Sequence, residues 1–120
     1  MSGGHVGRAP ETADLAAIAA GDGVGAGARW HLTGEGDLNA NLVSFPAGAG
    51  VGEHRNDLLD VLIVGVDGSG EVVVDGAVHP LRPACAILVP RGALRSTRAG
   101  SEGFAYLTVH RRRTPGLTLG

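Results

Sequence analysis

Short runs in which apolar and polar residues alternate, separated by turn-forming residues about every ten positions, make up the chain from Arg29 onward. A period of two sends successive side chains to opposite faces of an extended chain, so each run predicts a strand. The runs lie at 29–33, 38–45, 58–66, 71–74, 77–81, 85–89, 94–98 and 104–110. Asp75-Gly76, between Glu71-Val72-Val73-Val74 and Ala77-Val78-His79, predicts a type I′ hairpin, whose two central residues need positive φ. Asp67-Gly68-Ser69-Gly70 predicts a second turn, and residues 46–52 a glycine-rich loop. Pro80 and Pro83 confine the strand around Leu81 to an edge or a bend, because proline donates nothing to a ladder. Eight short strands in one flat sheet would leave exposed edges. The expected architecture is therefore all-β, a single-domain jelly-roll β-barrel.

Before Arg29 the pattern changes. Pro10, Glu11 and Asp14 precede the apolar stretch 15–20 and suit the first turn of a short helix that Gly21 would end. A mobile tail is the alternative. Residues 21–27 hold four glycines and no sizeable anchor except Val24, which puts the boundary there. The expected division is an N-terminal tail or short helix over 1–28, the barrel over 29–114 and a C-terminal tail over 115–120. Gly3-Gly4 and the glycines at 21, 23 and 25 superficially resemble phosphate loops, but they lack a preceding strand and a lysine with a hydroxyl partner.

Composition narrows the function. A chain of 120 residues holds one core, and 21 glycines favour short strands over long helices. The ten basic residues are all arginine and face twelve acidic ones, for a net charge of -2, so no global field favours nucleic acid or an anionic membrane. Aromatic content is 3%, which leaves the barrel to be filled by Val, Leu, Ile and Ala. Cys85, the single cysteine, has no disulfide partner within the chain. No basic stretch leads into a long apolar one, so a soluble cytoplasmic protein is expected. Small barrels bury a modest share of their surface, and association as a homodimer through a strand edge or sheet face would add to it.

Two segments, 48–76 and 84–95, resemble the paired motifs of the cupin superfamily, and the resemblance spans roughly residues 38–110. The family's first motif runs glycine, five residues, His-x-His, three or four residues, Glu, six residues, glycine. Here Gly48 is followed by His54, Asn56 stands at the second histidine, and either Asp60 or Val61 stands at the glutamate. The later glycine falls one place late for Asp60, so either a bulge precedes Asp67 or Val61 takes the glutamate's place. The second motif runs glycine, five residues, Pro-x-Gly, two residues, His. Ala84, Pro90 and Gly92 follow that frame, with Arg95 at the histidine. The resemblance implies a barrel whose mouth gathers these positions. Arginine has no acceptor lone pair and stays cationic, so it does not ligate a divalent metal.

Three functions stay open. The first is a metal-independent small-molecule-binding protein, with no cofactor, whose cavity is lined by His54, Asn56 and Arg95 and holds a small polar or anionic molecule. The second is a metal-dependent enzyme of dioxygenase or isomerase type, with one divalent transition metal on His54, Asp60 and His110. The third is a structural or regulatory dimer in which an Asp60–Arg95 ion pair plugs the barrel. His110 shares a strand face with Tyr106 and Thr108, whereas the Leu107 and Val109 face is the expected core side. His5 falls in the tail, one of Trp30 and His31 points outward, and His79 beside Pro80 is solvated. Cys85 reads as a small buried hydrophobe, and the 111–113 arginine run as a solvated strand end or an ion-pair partner for acidic turns.

Overall fold

The computed structural model describes residues 9–21, 26–34 and 36–112. The sequence readings at His5, Gly3-Gly4, Gly23, Val24, Gly25, Arg113 and the 115–120 tail lie outside these residues. Seven strands are described: β1 (Gly27–His31), β2 (Leu38–Phe45), β3 (His54–Arg55), β4 (Val61–Val74), β5 (Ala77–Leu81), β6 (Ala86–Val89) and β7 (Leu94–Arg111). All pairings are antiparallel. The fold is the expected all-β jelly roll, with one short helix, α1 (Leu15–Ala19).

Two long strands organise it. The first half of β4 lies between β6 and the second half of β7, which in turn pairs with β2 and so with β1. Its second half lies between β5 and the first half of β7, which also carries β3. Each long strand therefore passes from one layer into the other. The apolar side chains between the layers form the core, with Val61, Ile63, Val72, Leu81, Val89, Phe104 and Tyr106 all buried.

At 67–70 the chain does not turn back as expected. It continues as one strand, with pairing irregularities between Gly65 and Asp67 and between Gly68 and Gly70. Glycine permits this bend. Gly68 has φ 67, and a Cβ there would lie 2.1 Å from the Gly103 carbonyl oxygen; Gly103 itself has φ 81. The two backbones cross too closely for side chains, so the ladder curves without breaking. The Asp75-Gly76 hairpin is as expected, with φ 48 and 85 and Val74 paired to Ala77.

Asp14 caps α1 by accepting a hydrogen bond from the Ala17 N–H (3.1 Å), and the Glu11 carboxylate accepts from the backbone N–H groups of Thr33 and Gly34. The helix lays Leu15, Ile18 and Ala19 over Trp30, Leu42, Ala105 and Leu107 on the outer face of the first layer. The Leu107 side of β7 is thus covered by α1, and the Tyr106 side faces the barrel interior, the reverse of the sequence expectation. Strand period alone cannot rank two faces that are both buried. Beyond the helix the same outer face is bare at Leu62 and Leu88, cross-strand neighbours that are 38% and 58% exposed. Among the described residues no helix is long and apolar enough to cross a membrane.

Candidate functional site

The two motif segments meet at one end of the second layer. His54 pairs directly with Arg95, and Arg95 with Val74, so the three side chains share one face across β3, β7 and β4. That is the inner face, because the next inward row is Thr97 and Val72, both buried. His54 is exposed at the rim, with Nδ1 2.9 Å from the Gly52 carbonyl oxygen. Arg95 is half-buried. Among the described residues no carboxylate forms an ion pair with it.

Asn56 and Asp60 fasten the rim. Asn56 Oδ1 accepts from the N–H groups of Leu58 (2.9 Å) and Leu59 (3.1 Å), an Asx turn that leads into β4. Its carbonyl accepts from Gly92 N (2.7 Å). Asp60 is exposed and Oδ1 accepts from Arg91 N (2.8 Å). Both thereby brace the turn between β6 and β7 that delivers Arg95. Val61, only 2% exposed, takes the inward position, and the ladder also slips before Asp67. The alternation of β4 settles which of the two faces the core. Asp60 and Arg95 are not paired. Ala84, at the glycine position of the second motif, has φ 67, which explains why glycine suits that place.

The interior beside Arg95 contains a residue that sequence reasoning had not placed there. Tyr106 is 3% exposed, stacks on Phe45 and tilts against Phe104, and its hydroxyl lies 2.9 Å from Thr97 Oγ1. The available signal was the pair Phe104 and Tyr106, two large aromatics at a period of two around a small Ala105. Burial holds the Tyr106 phenol above its ordinary pKa, against the opposing pulls of the Thr97 hydrogen bond and the Arg95 charge. Burial likewise lowers the Arg95 guanidinium, with Tyr106 acting in the other direction.

The chain has one tyrosine, so the rise of tyrosinate absorbance with pH reports this group alone. The native protein is expected to titrate above the ordinary value of about 10. A phenol raised on folding contributes stability that is fully present below the unfolded pKa and is lost as pH climbs through the folded one. Arg95→Met should move the native midpoint higher still, by removing the cation. A native midpoint at or below the free-phenol value would contradict this environment.

The remaining candidates lie elsewhere. His110 is half-buried, with Nδ1 3.0 Å from the Arg111 carbonyl oxygen. It sits at the far end of β7 from Arg95, and His54, Asp60 and His110 are not brought together. Among the described residues no group of three or more His, Cys, Asp or Glu side chains is placed to hold a metal. At the motif positions, an exposed imidazole, an amide oxygen already engaged by two N–H groups, a valine and a guanidinium do not fit a divalent cation. His31 and His79 are exposed, and Cys85 packs partly against the core. Arg111 is exposed, while Arg112 donates to the Gly34 carbonyl (2.8 Å).

No family model matches the chain. Among curated proteins it is similar to dimethylsulfoniopropionate lyase DddW from Ruegeria pomeroyi, with 35% identity over 72 residues, 58% of this chain and 47% of that protein. The chain thus spans about half the length of the curated relative it matches. Among solved structures it resembles TT1209 from Thermus thermophilus, with a TM-score of 0.74 at 20% identity, covering 88% of this chain and all of that one (100%). A protein from Bacteroides fragilis described as a cupin gives a TM-score of 0.60 at 20% identity, covering 72% of this chain and 78% of its own.

Proposed function

We propose, from the premise that this chain is a cupin by fold, that it is a metal-independent binding protein for a small anionic molecule, with Arg95 as the anchor. The observation that carries this reading is the half-buried guanidinium on the inner face, cross-strand from His54, with no carboxylate partner among the described residues. A cation withdrawn from water without a partner is costly, and an incoming anion supplies the missing charge at a bidentate donor. His54 at the rim contributes the second polar contact. Asn56 and Asp60 act on the site by holding the turn that carries Arg95. The bare patch at Leu62 and Leu88 suits pairing of two copies through the first layer, and a homodimer belongs to the same reading.

The likeness to DddW favours a second reading, a lyase acting on dimethylsulfoniopropionate, whose propionate group an arginine would suit. One experiment separates the two. The protein is stripped with a chelator, and its melting temperature is followed with small carboxylates, with inorganic phosphate and with dimethylsulfoniopropionate. Consumption of the last compound is measured in parallel, with and without added divalent metals. The binding reading expects a rise in melting temperature that persists in chelator, worth about 2.7 kcal/mol when ligand stands at a hundred times its Kd. Turnover that depends on added metal would replace it with the lyase reading.

A further inference from the structure

We propose that the Tyr106 hydroxyl is a second ligand-binding donor, acting with Arg95 to select a carboxylate on a molecule with an apolar body. This rests on the reading of Arg95 as the anion anchor and adds the chemical class of what it holds.

The Val51 N–H donates to Thr97 Oγ1 (3.2 Å), and Thr97 Oγ1 lies 2.9 Å from the Tyr106 hydroxyl. Each hydroxyl carries one proton, and the bond between them uses one of the two. The Val51 N–H is shared with the Thr97 carbonyl oxygen (3.1 Å), and either hydroxyl can donate in the Thr97–Tyr106 bond; in the proposed arrangement the Thr97 O–H donates to Tyr106. The phenolic proton is then left to donate onward. Hydrogen bonds in such a chain strengthen one another, which makes the terminal O–H a better donor.

The surroundings decide what it meets. Arg95 is the charged group that acts on Tyr106. The buried Val61, Ile63, Val72 and Val89 offer neither donor nor acceptor, whereas Asn41 and Thr108 share the Tyr106 face further along the barrel and His54 lies at its rim. Beside Thr97, the donors this site would use are the Arg95 guanidinium fork and the Tyr106 hydroxyl. A carboxylate, with a single charge and two oxygens, is matched by that set. A phosphate brings up to two charges and more acceptor oxygens than those two groups match. The same aliphatic walls favour an apolar body over a polyhydroxylated one.

The test is calorimetric titration of the full chain with butyrate, benzoate and inorganic phosphate, on wild type, Tyr106→Phe, Thr97→Val, Thr97→Ser and Arg95→Met. Tyr106→Phe deletes one oxygen and keeps the ring that packs on Phe45 and Phe104. It is expected to weaken carboxylate binding about 10-fold, the scale of one hydrogen bond to a charged group. Thr97→Val, which leaves the phenol without its orienting partner, should weaken it several-fold, and Thr97→Ser should restore it. This pair carries the test should Tyr106→Phe fail to fold. Carboxylate binding equal to wild type in both Tyr106→Phe and Thr97→Val, with loss in Arg95→Met, overturns the role of the hydroxyl and leaves the Arg95 site intact. Phosphate bound more tightly than either carboxylate overturns the ligand class. No binding of any of the three anions by wild type overturns both this proposal and the reading beneath it.

Discussion

Arg95→Met is expected to reduce affinity for a small carboxylate by about 100-fold while leaving the melting temperature unchanged or a few degrees higher. The two effects have opposite signs for one reason. Among the described residues the half-buried guanidinium has no anionic partner, and an apolar side chain of similar length removes the cost of burying it and keeps the packing. In the complex the same charge is half of a desolvated ion pair, and deleting it costs about 2–5 kcal/mol, of which the lower part already gives the stated fold-change. Calorimetry and thermal melting on one preparation check both. A residue that merely plugs the barrel would behave in reverse, with the variant melting lower and no affinity lost, and that outcome would sink the binding reading.

Gly68→Ala should be severely damaging to the fold. A methyl group at that position would sit 2.1 Å from the Gly103 carbonyl oxygen, and Gly68 already occupies positive φ at 67. The neighbour is backbone in a paired strand and cannot step aside. Overpacking and the unfavourable dihedral together are expected to cost about 3 kcal/mol or more. For a domain of this size that lowers the melting temperature by roughly 15 °C. Gly76→Ala is the control, since Gly76 also has positive φ, 85, but nothing lies within 4 Å of its would-be Cβ. It should lose only about 1 kcal/mol. Equal losses in the two variants would mean that backbone conformation, not the close crossing, governs both.

Much of the fold was legible in the sequence because strand period and turn chemistry are local. The Asp75-Gly76 hairpin, the Asp14 cap and the 38–45 strand all rest on a few adjacent residues. The glycines at 65–70 misled for an equally physical reason. They read as a turn, yet they let two strands bend past each other, a property of the partner strand that no local window contains. The site divides the same way. The motif frame implied only that His54 and Arg95 gather at one mouth, and their direct pairing is a matter of register. The outward turn of Asp60 and the engagement of Asn56 by its own loop depend on where the ladder slips and which N–H groups stand nearby. Tyr106 was hidden because the face it occupies became interior only once α1 covered the opposite one.

The passage of β4 and β7 through both layers has a consequence for how the chain acquires its structure. Their ladder joins partners distant in sequence, from Val74 with Arg95 at one end to Leu62 with Val109 at the other. The Val74 end closes the shorter loop and carries the smaller entropic cost, so pairing is expected to nucleate beside the Asp75-Gly76 hairpin and zip toward Leu62. The two layers form together, because each long strand contributes one half to each of them. Such a topology, dominated by non-local pairing, folds in milliseconds to seconds and offers no stopping point with a single finished sheet. The binding rim at His54 and Arg95 lies at the end that closes first.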